Sequence, residues 1–154
     1  MSLGLPQRAG SRPRTTPTNP HTQLDQQPVE PRLHEELTRR VFALPGVVEE
    51  PSRISVPGAR ALVLAPGEPP GPPEAFLVGR EFAHLHPAPD HSAHAMLPPE
   101  VVCEAVDAGW AEPHPVARMG LIPETAVMLY APRDDDELAV IETLIRASRE
   151  FAGG

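Results

Sequence analysis

The chain has 154 residues, 40% of them hydrophobic, a formal net charge of −8 and a single cysteine, Cys103. This length fits one domain with a modest core, and one cysteine excludes both an intramolecular disulfide and a thiolate zinc site. The acidic balance argues against nucleic acid, whose binding needs clustered Lys or Arg to release counterions; no apolar run has the length of a membrane span and no signal-peptide core follows the early arginines, so a cytoplasmic protein without a membrane partner is expected.

Residues 1–30 are rich in Pro, Thr, Gln and Arg and offer only Leu3, Leu5, Leu24 and Val29 as aliphatic anchors. That composition predicts a disordered tail, because so little apolar surface does not offset the entropy of ordering. The tail carries three arginines and two acids; the total of −8 less this +1 leaves −9 for residues 31–154, read as one α+β domain. All 13 basic residues are arginine, a bias that resembles bacterial GC-rich coding.

The domain opens with Leu33, Leu37, Val41 and Leu44 at helical spacing behind Pro31, and Pro45-Gly46 ends that first helix. Short β-type runs follow at residues 53–56, 60–65, 75–78, 81–86 and 92–97. Gly79-Arg80 suits a two-residue hairpin turn, and the Pro-rich stretch 66–73 reads as a stiff exposed loop. Pro98-Pro99-Glu100 starts a second helix; residues 112–116, interrupted by proline, suit an edge or a loop. The apolar run 125–130 predicts a strand buried on both faces. Asp134 with Glu137 three residues on resembles a capping box, and Leu138, Ile141, Ile145 and Ser148 then repeat helically to Phe151. The acidic run 134–137 reads as favourable charge at a helix N-terminus rather than a calcium loop, since it lacks spaced ligands and a turn glycine. Cys103 reads as a buried small hydrophobe. The expected order is α-β-β-β-β-β-α-β-α, an antiparallel sheet covered on one face by helices.

Four of the seven histidines lie between Glu81 and Leu97. Alternation along a strand puts His84, His86 and Phe82 on one face. If His86 lies opposite Ser92, then His84 lies opposite His94, and three imidazoles converge within reach of one ion or one ligand. His84, His86 and His94 are therefore candidate ligands of a divalent transition metal, for which imidazole is well suited. A second constellation, Gly109-Trp110-Ala111-Glu112-Pro113-His114-Pro115, holds Glu112 and His114 on a rigid segment that could complete a pocket. The candidate ligand-binding set is thus His84, His86, Ser92, His94, Glu112 and His114. A serine nucleophile at Ser92 is the weaker reading, because His94, two residues along the strand, diverges from it and no G-x-S-x-G elbow is present. The functional expectation is a small-molecule or metal site, with any enzymatic step unassigned; the alternative is a non-enzymatic module that contacts another protein.

The motifs Ser52-Arg53, Glu81-Phe82-Ala83-His84-Leu85-His86-Pro87, Asp90-His91-Ser92-Ala93-His94, Pro98-Pro99-Glu100 and Gly109-Trp110-Ala111-Glu112-Pro113-His114-Pro115, in that order, resemble the luciferase-domain family, a small domain of bacteria and fungi. The resemblance runs from about Leu44 to Phe151. His91 stands where the family often has glycine, and Ala111 stands where Gly-Trp-Gly is frequent. The element layout is also similar, more distantly, to the MmcQ/YjbR group with its frataxin-like (CyaY-like) fold. That likeness implies an antiparallel sheet with one face open to a ligand or partner; neither resemblance implies a defined reaction.

Overall fold

Why the chain builds a sheet is clearest at its centre, where residues 93–97 and 126–129 bury every side chain. In the computed structural model, which describes residues 2–153, β1 (Val47–Pro51), β2 (Arg60–Leu64), β3 (Glu81–Leu85), β4 (Ala93–Met96), β5 (Ala111–Pro113) and β6 (Ala126–Leu129) form one six-stranded sheet. Its order is β1-β2-β3-β4-β6-β5, and every neighbouring pair is antiparallel. The expected α+β architecture is present.

Helices α1 (Arg32–Phe42), α2 (Pro99–Asp107) and α4 (Asp135–Gly153) close one face. Their Leu33, Leu37, Val41, Val101, Ala105, Leu138, Ile141, Leu144 and Ile145 pack with Leu62, Leu64, Ala83, Leu85, Ala95, Val127 and Leu129 of the sheet in one cluster. Burying such side chains stabilises a fold by about 1.5–3 kcal/mol each. The cap on α4 forms as its sequence predicts, with the Asp134 carboxylate accepting from the Glu137 amide at 2.8 Å. A one-turn helix α3, Pro115–Arg118, follows β5.

Several local expectations need correction. Residues 53–56 are a bend, not a strand; the first strand lies earlier, at Val47–Pro51, where only one residue is even half-buried and the alternation signal is correspondingly faint. Residues 75–78 supply the end of a single 3-10 turn and one isolated bridge, Val78 to Glu81, around the Gly79-Arg80 turn. Cys103 is exposed, because α2 turns Val101 and Ala105 inward instead.

The largest difference concerns the first thirty residues. Residues 2–30 form an arm that starts against α2, passes around edge strand β5 and crosses the sheet face opposite the large helices. Glu104 accepts from the amides of Leu3 and Leu5 at 2.7 and 2.9 Å. The Trp110 indole donates to the Pro6 carbonyl at 2.7 Å, and Arg12 donates to the Ala111 carbonyl at 2.7 Å. Gln23 accepts from the Ala131 amide and donates from its own amide to Asp90. Beyond Leu3 and Leu5, which pack against the core, polar groups hold this arm, which is why composition alone predicts disorder for it. The sheet face implied to be open by the frataxin-like likeness is partly covered by it, and a cavity beside Asn19, Pro20 and His21 remains. Among the described residues, no helix is long and apolar enough to cross a membrane.

Candidate functional site

The site begins with the pairing of β3 and β4. The structure has Ala83 opposite Ala95, His84 opposite His94 and Leu85 opposite Ala93, and the His86 amide donates to the Ser92 carbonyl at 2.9 Å. This is the register that brings the histidines together. All three imidazoles are buried, and each can offer one nitrogen to a group of three lying within 4.8 Å of one another.

Strict alternation would also place Phe82 on the histidine face, and that does not happen. On β2, Leu62 pairs with Ala83 but Val63 pairs with Glu81, so β3 carries one extra residue at this point. Such a bulge resets which face the next side chains take. Phe82 joins the core beneath the helices, and Glu81 turns onto the histidine face, where its Oε2 lies 2.8 Å from His84 Nδ1. Ser52 Oγ and the Arg53 amide donate to the same carboxyl group.

His86 is oriented in the same manner by the tight loop between the strands. Its Nδ1 is 2.5 Å from Asp90 Oδ2. Asp90 Oδ1 in turn accepts from Ser92 Oγ at 2.6 Å, from the Ser92 amide at 3.2 Å and from the Gln23 amide at 3.0 Å. Burial would raise the Asp90 pKa, but the hydrogen bonds from His86 and Ser92 hold it below the usual carboxylate value. Ser92 is fully buried with its proton committed to Asp90, a poor disposition for a nucleophile. His91, at the loop tip, adopts φ of 57°. This left-handed region costs a side-chain-bearing residue about 1–2 kcal/mol, a conformation that glycine adopts readily. Here the ring of His91 stacks on His34, centroids 4.2 Å apart.

From His84 a hydrogen-bonded chain runs across the sheet face. His84 Nε2 lies 3.1 Å from His94 Nδ1, His94 Nε2 lies 3.0 Å from His21 Nδ1, and His21 Nε2 lies 2.7 Å from Glu112 Oε2. Glu112 also accepts from Thr15 Oγ1 and from the Tyr130 hydroxyl, both at 2.8 Å. These donors outweigh the effect of burial and lower the Glu112 pKa; burial and the bond to Glu112 push Tyr130 up to about 12. The chain runs Glu81, His84, His94, His21, Glu112, with four links. With the carboxyl groups at both ends ionised, three neutral imidazoles carry three ring protons, one short of the four that these links require.

A fourth positive centre therefore fits between His84 and His94: a proton, or a metal ion accepting both lone pairs. Burial lowers the pKa of His84 despite the Glu81 hydrogen bond, and burial together with the neighbouring His84 drives His94 well below its ordinary value. A proton is disfavoured there.

His86 bears on the same question. With Nδ1 committed to Asp90, its Nε2 is buried and has no hydrogen-bond partner. Buried polar atoms without partners are uncommon, and one at a cluster of ligating side chains calls for a bound group. His84 and His86 thus both present a nitrogen whose ring is oriented from behind by a carboxyl group, the arrangement typical of metal-ligating histidine.

A second trio, His21, His94 and His114, also has suitably close nitrogens, but its hydrogen bonding is wrong for an ion. His114 Nδ1 accepts from the Val116 amide at 3.1 Å, so in the neutral ring Nε2 carries the proton and no lone pair remains for a metal. Burial, then the neighbouring His21, lower the His114 pKa to about 4, keeping that ring neutral.

His21, His84, His94 and His114 line one side of a cavity of about 260 Å³, and Ile54, Val56, Leu77, Val116 and Ile122 contribute apolar wall. Of the predicted residues, His84, His94 and His114 face this cavity. His86 and Ser92 lie behind it, and Glu112 supports it through His21. Sequence reasoning missed His21 and Glu81. No local signal marks His21 within a Pro- and Thr-rich stretch, and Glu81 reaches the site only through the bulge.

Histidines that burial keeps neutral, half-buried His34 and buried His114, make stability depend on pH. A histidine whose folded pKa lies below its unfolded value contributes fully above the unfolded value and loses that contribution as pH falls towards the folded one. For His34 and His114 that window runs from 6.5 down to about 4. The midpoint of urea unfolding is expected to hold steady above this window and to fall through it; a midpoint that is constant across the window would contradict the reading.

Residues 79–148 match the family model described as the luciferase domain. Luciferases of Armillaria mellea and Armillaria gallica are each 41% identical to this chain over 71 residues, and that of Neonothopanus nambi is 37% identical over 71. The stretch is 45% of this chain and 27% of each relative, so the chain spans little more than a quarter of the length of those proteins. They are fungal, and they lend no support to the bacterial source suggested by the arginine bias. No solved structure matches the chain. Residues 79–148, which contain β3, β4 and the whole histidine triad, are the part of the chain that is similar to the luciferase domain.

Proposed function

We propose that the chain binds a divalent transition metal through His84, His86 and His94 and receives a small organic ligand in the adjoining cavity. The observation that carries this reading is the buried, unpartnered Nε2 of His86 beside two imidazoles that face each other across 3.1 Å. Glu81 and Asp90 stand behind His84 and His86, and their negative charge favours a cation where burial disfavours a proton. Three nitrogen donors suit Zn, Cu, Fe or Ni.

His84 and His94 also line the cavity, so an ion held by them is reachable from it. The apolar walls suit a ligand that is mostly hydrocarbon, with one polar end directed at the imidazoles. In such a site a metal acts as a Lewis acid and orients the polar end of a bound molecule. The test is a Co²⁺ titration of protein prepared without a histidine tag. One equivalent bound, with the visible bands of a low-symmetry Co²⁺ complex, is expected, and absence of binding at any stoichiometry would sink the proposal.

A further inference from the structure

Among the described residues, one imidazole of the cluster comes from the N-terminal arm. His21 lies on the arm, is buried, and occupies the single position that joins His94 to Glu112. We propose that His21 is a positioning residue of the metal site, a relay through which Glu112 fixes the tautomer and orientation of His94. The inference rests on the metal reading above.

His84 and His86 each meet a carboxyl group directly, at 2.8 and 2.5 Å. His94 has no carboxyl group in contact; its Nε2 meets His21 Nδ1 at 3.0 Å. For His94 to present the lone pair of Nδ1 towards His84, its ring proton must sit on Nε2. His21 accepts that proton at Nδ1 when its own proton is on Nε2, where Glu112 accepts it at 2.7 Å. Thr15 and Tyr130 hold Glu112 in place, and both donate to it at 2.8 Å. Each of the three ligating rings then has a carboxyl group at its back, two directly and one through a second imidazole, and the four links no longer lack a proton. The metal ion takes the place of the missing one.

The arm is accordingly part of the site rather than an appendage. Asn19, Pro20 and His21 form one wall of the cavity, and Gln23 donates to the Asp90 carboxylate that orients His86. The arm thus supports two of the three ligands, through His21 and Gln23, two positions apart.

The full chain, titrated with Co²⁺ alone, tests the relay. His21→Leu removes both hydrogen bonds and is expected to weaken Co²⁺ binding by about 10- to 100-fold, with a changed visible spectrum. His21→Gln keeps an acceptor and a donor in one planar group and is expected to restore affinity to within about threefold of the unsubstituted chain. If His21→Leu binds Co²⁺ as the unsubstituted chain does, the relay is wrong and the metal site stands. If both variants fold and both lose binding, His21 is itself a ligand and the relay is again wrong. If the unsubstituted chain binds no Co²⁺, the metal reading fails first and the relay with it. Should His21→Leu fail to fold, Glu112→Gln replaces it: the acceptor remains without its charge, a loss of about tenfold is expected, and unchanged affinity overturns the proposal.

Discussion

His86→Ala is expected to weaken Co²⁺ binding by about 100-fold or more, whereas His114→Ala changes it by less than about threefold. The two substitutions separate the two histidine trios that geometry alone allows. His86 gives up the one nitrogen that is buried without a partner, and its loss removes a donor while Asp90 keeps its bonds from Ser92 and Gln23. His114 has its lone pair occupied by the Val116 amide, so it can line the cavity and shape what enters but has no lone pair left to give an ion. Calorimetric titration of both variants is the direct measurement. Comparable weakening by His114→Ala would transfer the ion to the trio containing His21, and an unaltered affinity in His86→Ala would remove it from the sheet face.

Removal of residues 1–30 is expected to lower stability by about 2–4 kcal/mol and to expose the single tryptophan. The indole NH of Trp110 donates to the Pro6 carbonyl, and Leu3 and Leu5 pack against the main core. Losing the arm also deprives the Ala111 carbonyl of Arg12, Glu112 of His21 and Asp90 of Gln23. Net gains per hydrogen bond are only about 1 kcal/mol and the arm's own ordering entropy is recovered on deletion, which keeps the expected loss moderate. Tryptophan emission should shift to longer wavelength in the folded truncated protein, and the urea midpoint should fall. Unchanged emission with an unchanged midpoint would mean that the arm does not hold the body of the fold as described.

The elements and the central register were legible because they depend on local periodicity. Leu33, Leu37 and Val41 mark a helix, residues 125–130 a buried strand, and Asp134 a cap, each from spacing within a few residues. The hairpin from Glu81 to Leu97 was equally legible, since a single assumed pair, His86 with Ser92, dictates His84 opposite His94. The exposed edge strand Val47–Pro51 was not, because a strand half-buried at one residue leaves no alternation to read.

By itself, then, the sequence determined an α+β chain with three imidazoles brought to one sheet face, because a period of two residues is built into any strand. Tertiary structure alone decided what stands behind those imidazoles. The extra residue that sends Phe82 to the core and brings Glu81 to His84 is a mismatch between β2 and β3, a property of the pair and of neither strand. His21 enters from 73 residues away in sequence from His94, carried by an arm whose affinity for the sheet lies in polar contacts that exist only once the sheet has formed. Hydrophobic pattern reports on burial, and it is silent on which distant carboxyl group will meet which imidazole, because those bonds are set by geometry after folding and not by any local preference of the chain.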